Sequence, residues 1–273
     1  MSWLEAIVLG IVQGLTEFLP ISSSGHLRIV PALVGWPDPG AAFSAVVQLG
    51  TMAAVVVYFA ADLWRIVWSW LRALVRPELR GTLDTRLGWY IILGTIPIVV
   101  IGIVFADQIE GGARDLRLVG WVLILFGIVL YLADRVTPQR KDVTDLNLRD
   151  GLIYGLAQAL ALVPGVSRSG ATITAGRLLH YERADAARFS FLLSVPAVVG
   201  SGLFEMRHVG DAGGPAWGPT IVATLAAFVV GYASIAWLLR YLVRHGMLVF
   251  AVYRVLLGAV VLGLVYAGVI SAT

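Results

Sequence analysis

Long runs without charge constrain this chain more than any other feature. Several stretches pass roughly 16 to 28 residues without an Asp, Glu, Lys or Arg, and about 20 helical residues suffice to cross the hydrocarbon core of a bilayer. Only 14% of the 273 residues are charged and 59% are hydrophobic, which excludes an ordinary water-soluble domain. The runs are continuous rather than alternating in segments of about ten, which excludes a transmembrane β-barrel. The sequence therefore predicts an all-α polytopic membrane protein, with a single integral membrane domain over 1–273. Six crossings are expected, at 41–61, 87–106, 118–133, 189–204, 219–239 and 247–270.

Two further apolar stretches, 6–34 and 151–179, are each broken midway by Pro, Gly and several Ser. Backbone that leaves the helix at membrane depth is tolerated only where protein or a water-filled cavity satisfies its N–H and C=O groups. Both stretches are therefore expected to be re-entrant helical hairpins, and their breaks point to a site. The connections 62–86 and 134–150 are rich in basic residues, among them Arg65, Arg72, Arg76, Arg80, Arg135, Arg140 and Lys141. Both are expected to be cytoplasmic, with 240–245 on the same side. The connections 31–40, 107–117 and 205–218 then lie outside, together with both termini.

An internal repeat supports this layout. A shift of about 145 positions pairs Gly10 with Gly155, Gln13 with Gln158, Leu15 with Leu160, Ser22 with Ser167, Ser24 with Ser169 and Gly25 with Gly170. The halves, about 1–135 and 148–273, would each hold one re-entrant hairpin and three crossings. With an odd number of crossings they lie upside down relative to each other, an inverted-topology repeat. A net charge of +3 with scattered basic residues makes nucleic acid an improbable partner. Without cysteine the chain has neither disulfides nor a thiolate metal site, and residues 1–6 lack the basic residues of a cleaved signal peptide.

The chemistry concentrates in the two breaks. In the first, Gln13 and Glu17 share a helix face ahead of Pro20, Ser22, Ser23, Ser24 and His26. A carboxylate at membrane depth costs a few kcal/mol on insertion scales, about 2.5–3.5 at a helix centre, so a functional role is the better default. The duller alternative is an interfacial Glu17 with serines that merely cap a helix. The second break, from Pro164 through Ser167, Arg168, Ser169 and Gly170 to Thr172, has the flexible backbone, hydroxyls and guanidinium of an anion cradle. Here the alternative is an inert buried ion pair of Arg168 with Glu17. Brought together, the breaks suit phosphoryl transfer: Ser23 could attack phosphorus, His26 could accept its proton, and Glu17 could orient His26 or ligate a divalent cation. A metal-held water attacking directly is the main variant. His180, His208 and His245 read as interfacial residues, Gln48 as a candidate cavity-lining side chain, and Arg254 as a residue that snorkels or meets a neighbouring helix, though it could reach a lipid phosphate.

The stretches QGLTEFLPISSSGH, from Gln13 to His26, and PGVSRSG, from Pro164 to Gly170, resemble the two signatures of bacterial undecaprenyl pyrophosphate phosphatases, the membrane phosphatases of bacitracin resistance. The likeness extends over the whole chain, including FSAVVQLGT from Phe43 and the pair Tyr253-Arg254. The resemblance implies hydrolysis of a prenyl pyrophosphate lipid to its monophosphate and inorganic phosphate, which recycles the carrier lipid of peptidoglycan synthesis. It also implies a divalent cation, Mg or Ca, and a site open to the periplasmic face of the bacterial inner membrane.

The resemblance implies functional roles at the matching positions Glu17, Ser23, His26, Ser167, Arg168 and Thr172, with Glu17, Ser23, His26 and Arg168 as the catalytic residues; the hydroxyls and backbone of the two breaks add Ser22, Ser24, Ser169 and Gly170 around the phosphates. Glu17 and Gln13 would be the metal ligands, with Gln13 standing where the family often has glutamate, which departs from a two-carboxylate metal site. Membrane lipids are further partners, and a homodimer is compatible with the sequence. The main rival is a lipid or anion transporter or flippase, which shares the inverted architecture but has no evident need for a nucleophile and a base. A purely structural membrane protein leaves Glu17 and Arg168 unexplained.

Overall fold

The computed structural model describes residues 1–105, 115–210 and 215–272. Among these, every regular element is helical apart from one isolated bridge between Lys141 and Tyr181. In chain order the α-helices are α1 (Trp3–Thr16), α2 (Ser23–Val34), α3 (Gly40–Tyr58), α4 (Ala60–Val75), α5 (Leu83–Val104), α6 (Leu116–Val136), α7 (Leu148–Ala159), α8 (Arg168–Leu178), α9 (Arg183–Glu205), α10 (Trp217–Leu242) and α11 (Leu248–Tyr266). Six are long and apolar enough to cross a membrane: α3, α5, α6, α9, α10 and α11. They are the six expected from the charge-free runs, and the chain is a multi-pass membrane protein. Parts of the connections 107–117 and 205–218 fall outside the described residues.

Two boundaries differ from the sequence reading. The fourth crossing starts at Arg183 rather than at 189, because Arg183, Asp185 and Arg188 add a charged turn and a half ahead of the apolar run. The basic connection 62–86 is largely helical. In α4, Trp64, Val67, Trp68, Leu71 and Val75 are exposed, with Trp64 stacked on Trp68 one turn away. An apolar stripe beside Arg65 and Arg72 is the pattern of a helix lying in a membrane interface. Asp62 near its start accepts from Arg188 at 2.5 Å, which ties α4 to α9.

Small residues let the interior helices approach closely. α1 packs on α10, and α7 packs on α5. A Cβ at Gly10 would collide with the carbonyl oxygen of Ala223, and one at Gly155 with the carbonyl oxygen of Gly94, so both contacts run backbone against backbone, as is common between membrane helices. α6 packs along α11 with Gly120 facing Gly258. α1 and α2 pack on each other, as do α7 and α8, and the breaks between the members of each pair meet at α6 and α11.

At the C-terminal end of α8, Asp134 accepts from Arg177 at 2.9 Å, from Arg183 at 2.7 Å and from the Met247 N–H at 3.0 Å. Arg177 is 1% exposed and also donates to the carbonyls of Tyr181 and Thr137. One carboxylate thus fixes α6, α8, α9 and the start of α11 against one another.

Candidate active site

The two breaks share one backbone solution. Ser22 has φ 77° and ψ 93°, and Ser167 has φ 71° and ψ 115°. Positive φ at a residue with a Cβ costs on the order of 1–3 kcal/mol and persists only where the surroundings hold it. Each serine then caps the helix it starts: Ser22 Oγ accepts from the Gly25 N–H at 3.3 Å, and Ser167 Oγ from the Gly170 N–H at 3.1 Å. Each is also within 3.3 Å or less of the hydroxyl two residues on, Ser22 with Ser24 at 3.3 Å and Ser167 with Ser169 at 3.1 Å. The capping role that the duller alternative gave the serines is therefore real for these two.

The breaks are held together by Arg254, which the sequence reading left to snorkel or to meet a neighbouring helix. It is 0% exposed and donates to four carbonyls: Pro20 at 3.2 Å, Gly165 at 2.8 Å, Val166 at 3.0 Å and Leu123 at 3.3 Å. Carbonyls at a helix break lack their partners four residues on, and hydrocarbon offers none. One guanidinium satisfies acceptors from both breaks and from α6. A bond from Ser169 Oγ to the Leu19 carbonyl, 3.1 Å, adds a second tie.

Glu17 is the hub. It is 6% exposed, beside Gln13 at 0%. Its Oε2 accepts from Gln13 Nε2 at 2.7 Å and from Ser23 Oγ at 2.7 Å, and its Oε1 accepts from Arg168 Nη2. The expected meeting of the breaks thus brings Gln13, Glu17, Ser23 and Arg168 together, and it includes the ion pair that an inert reading also predicts. Ser23, Ser24 and Arg168 keep partial exposure while Ser22, Ser167 and Ser169 are buried, so the open face of the site presents serine hydroxyls next to a guanidinium.

His26 lies close by but faces elsewhere. Its Nδ1 is 2.7 Å from the Ser22 carbonyl, which can only accept, so Nδ1 carries the proton of the neutral ring. Nε2 is then a lone-pair acceptor for the Tyr253 hydroxyl at 2.6 Å, and the two rings stack at 5°. The Ser23 hydroxyl is bonded to Glu17 and not to His26 in this arrangement. Tyr253 was legible as half of the Tyr253-Arg254 pair in the family likeness, with no role attached to it; its neighbour Arg254, a charge in mid-span, was the available signal. Thr172 donates to the Arg168 carbonyl at 2.7 Å and meets Ser190, bracing the first turn of α8.

Other candidates fall away from this centre. Ser194, opposite Gln48 in the repeat, is turned back onto the Phe191 carbonyl at 2.7 Å. His208 pairs with Glu205 at 3.3 Å, and His245 stacks on Tyr241.

Among the described residues no cluster of three or more His, Cys, Asp or Glu could hold a metal. Gln13 Oε1 is buried without a hydrogen-bond partner, while Nε2 of the same amide donates to the Glu17 carboxylate. These two hard oxygen donors fit a Mg²⁺ or Ca²⁺ ion that draws its remaining ligands from phosphate and water, as Mg²⁺ commonly does.

Residues 6–260 match the family described as bacitracin resistance protein BacA. The chain is 56% identical, over the full length of both proteins, to an undecaprenyl-diphosphatase of Nocardioides sp.. It is 54% identical to an undecaprenyl-diphosphatase of Thermobifida fusca, covering 99% of this chain and 93% of that one. An undecaprenyl-diphosphatase 2 of Streptomyces avermitilis is 50% identical over 99% of this chain and 97% of its own.

Proposed function

The chain belongs to the bacitracin resistance protein BacA family, and on that premise we propose that it hydrolyses undecaprenyl pyrophosphate to undecaprenyl phosphate and inorganic phosphate. The single observation that carries this reading is the contact of a part-exposed serine hydroxyl with a buried carboxylate that is itself paired with Arg168. A carrier has use for the guanidinium and none for a hydroxyl poised on a base. In the cell, the reaction returns the carrier lipid to peptidoglycan synthesis, which is also the basis of bacitracin resistance in the family.

The lipid's pyrophosphate enters with its terminal phosphoryl group on Arg168 and the N–H groups at the start of α8. Arg168 exchanges one Glu17 oxygen for phosphate oxygens. Ser23 Oγ attacks the terminal phosphorus while its proton passes to Glu17 Oε2, 2.7 Å away. The bond from phosphorus to the bridging oxygen breaks, and its electron pair leaves with undecaprenyl phosphate. Water, its proton accepted by His26 Nε2 in exchange for the Tyr253 partner, then attacks the phosphorus on Ser23; the bond from phosphorus to Ser23 Oγ breaks, Glu17 returns its proton to that oxygen, and inorganic phosphate is released. A water attacking directly, with Glu17 as base, uses the same contacts. Glu17 and Gln13 would hold the divalent cation, which supplies charge neutralisation to the transferring phosphoryl group. The exposed apolar faces of the crossings hold the prenyl chain.

In this reading the two halves, 1–135 and 148–273, form an inverted repeat with re-entrant pairs α1–α2 and α7–α8. The reciprocal packing of α1 on α10 and of α7 on α5 supports it. The basic residues of 62–86 and 134–150 favour the cytoplasmic side for those segments, which leaves the site open to the periplasmic face of the inner membrane. The test is phosphate release from a prenyl pyrophosphate in detergent, with and without Mg²⁺ or Ca²⁺, beside Glu17→Ala. Release that needs both the cation and Glu17 is the expected result; release untouched by Glu17→Ala removes the proposed base.

A further inference from the structure

We infer that α4 is a headgroup-selective docking surface for anionic phospholipid, with its uncompensated arginines on the lipid phosphate; the inference goes beyond the hydrolysis proposed above and does not rest on it. The neighbours of α4 fix its depth. Phe59 alone separates it from the crossing α3, and the short turn Pro77–Leu79 leads on to the crossing α5. With 16 residues, α4 is too short to span a bilayer itself, which takes about 20. It therefore joins the ends of two crossings at the level of the headgroups.

Only a narrow strip of the helix is covered. Ile66 and Ala73 are buried, and Trp70 packs against Gly88 of α5. Trp64, Val67, Trp68, Leu71, Leu74 and Val75 stay exposed, and at this depth acyl chains are the apolar phase within their reach. The rings of Trp64 and Trp68 stack at 5.8 Å, and indoles at headgroup level anchor a segment there.

The charges beside this apolar face are unequal. Asp62 accepts from Arg65 at 3.1 Å and from Arg188 at 2.5 Å, and Asp84 lies 3.5 Å from Arg65. Arg72, Arg76, Arg80 and Arg86 have no carboxylate partner among the described residues. Arg80 donates to the Ala73 carbonyl, and Arg86 Nε is buried without an acceptor. Against these four guanidinium groups, the segment 62–86 holds one unpaired carboxylate, Glu78. A phosphodiester headgroup with no cation of its own supplies the missing charge, and its oxygens suit the two parallel hydrogen bonds of a guanidinium. A zwitterionic headgroup carries its own ammonium and leaves the excess in place. An acidic protein would also meet the arginines, but it would have to displace the bilayer from an apolar face that lies between two crossings.

The test titrates phosphatidylglycerol and phosphatidylcholine with identical acyl chains onto the detergent-solubilised full chain, and native mass spectrometry counts the bound lipid. Phosphatidylglycerol is expected to bind at least about 25-fold more tightly, about fivefold for each of Arg72 and Arg76, the attraction of one basic residue to an anionic surface. Arg72→Gln and Arg76→Gln should each lower that preference about fivefold. Arg149→Gln removes the same charge from an exposed arginine in the first turn of α7 and should leave the preference unchanged. Trp64→Ser combined with Trp68→Ser should weaken both lipids alike and keep their ratio. None of these side chains is buried, so the variants keep the fold. Equal binding of the two lipids by the wild-type chain, or a loss from Arg149→Gln as large as that from Arg72→Gln, overturns the docking surface. So does disulfide cross-linking between copies through Val67→Cys in this cysteine-free chain, which would put a second chain where the lipid should lie. Binding is read without turnover, so the hydrolysis reading can fail while this one stands.

Discussion

The break between α1 and α2 and the break between α7 and α8 have nearly the same backbone and opposite chemistry. Both turn on a serine at positive φ that caps the following helix through a glycine N–H three residues on. At a shift of 145, however, Glu17 is matched by Leu162, Ser23 by Arg168 and His26 by Ala171. The first break supplies the carboxylate, hydroxyl and imidazole, and the second supplies the cation. A turn that solves a backbone problem at membrane depth is thus used twice, while only its side chains divide the labour. Neither break is complete alone, since Glu17 neutralises Arg168 across the junction.

This division predicts that the breaks cannot substitute for each other. Arg168→Ala should have the largest effect, lowering phosphate release about 100- to 1000-fold. It also leaves Glu17 buried without its partner, so Arg168→Ala and Glu17→Ala should each lower the Tm more than the double variant does, since an uncompensated buried charge costs more than a lost pair. A double variant less stable than both singles would mean that the breaks are not coupled through this pair. Next comes Arg254→Leu, which strips donors from carbonyls of both breaks. It should destabilise the fold by about 3 kcal/mol in detergent melts and cut turnover even at temperatures where the protein stays folded.

Tyr253→Phe sharpens the comparison on the side of the first break. The stacked ring remains and only the hydroxyl that orients the His26 imidazole until water replaces it at Nε2 is lost, so kcat should fall about tenfold with KM changed less than threefold. Unchanged kcat would limit His26 to bracing the Ser22 turn. The smallest effect is expected at Gln13→Glu. A second carboxylate beside Glu17 should lower the Mg²⁺ concentration needed for half-maximal activity severalfold, with the maximal rate changed little; chelation with EDTA should abolish activity in both forms.

Hydrophobic runs made the crossings legible, because hydrocarbon thickness fixes the length of an apolar helix and no tertiary contact is needed to read it. The breaks were legible as sites for the converse reason: Pro, Gly and Ser inside an apolar stretch have to be satisfied by something. Less visible was α4, whose membrane-facing Trp64 and Trp68 alternate with arginines at a helical period and read as a basic loop. The partners of Arg254 and Tyr253 were out of reach of sequence. They lie 234 and 227 positions away, at Pro20 and His26, and only packing brings them there. Sequence also favoured His26 over Glu17 as the partner of Ser23. In the structure His26 Nδ1 lies on the Ser22 carbonyl while Ser23 Oγ donates to Glu17.

The four carbonyls gathered by Arg254 also set an order of events during synthesis. Pro20, Leu123, Gly165 and Val166 all leave the ribosome before Arg254 does, and until α11 inserts, those acceptors must find water or lipid headgroups instead. A nascent chain therefore carries Gln13, Glu17, Ser23, His26 and Arg168 well before Arg254 can hold the two breaks in register. Activity is therefore expected only after α11, the last of the six crossings among the described residues, has inserted, so a chain halted before that point should be membrane-bound but idle.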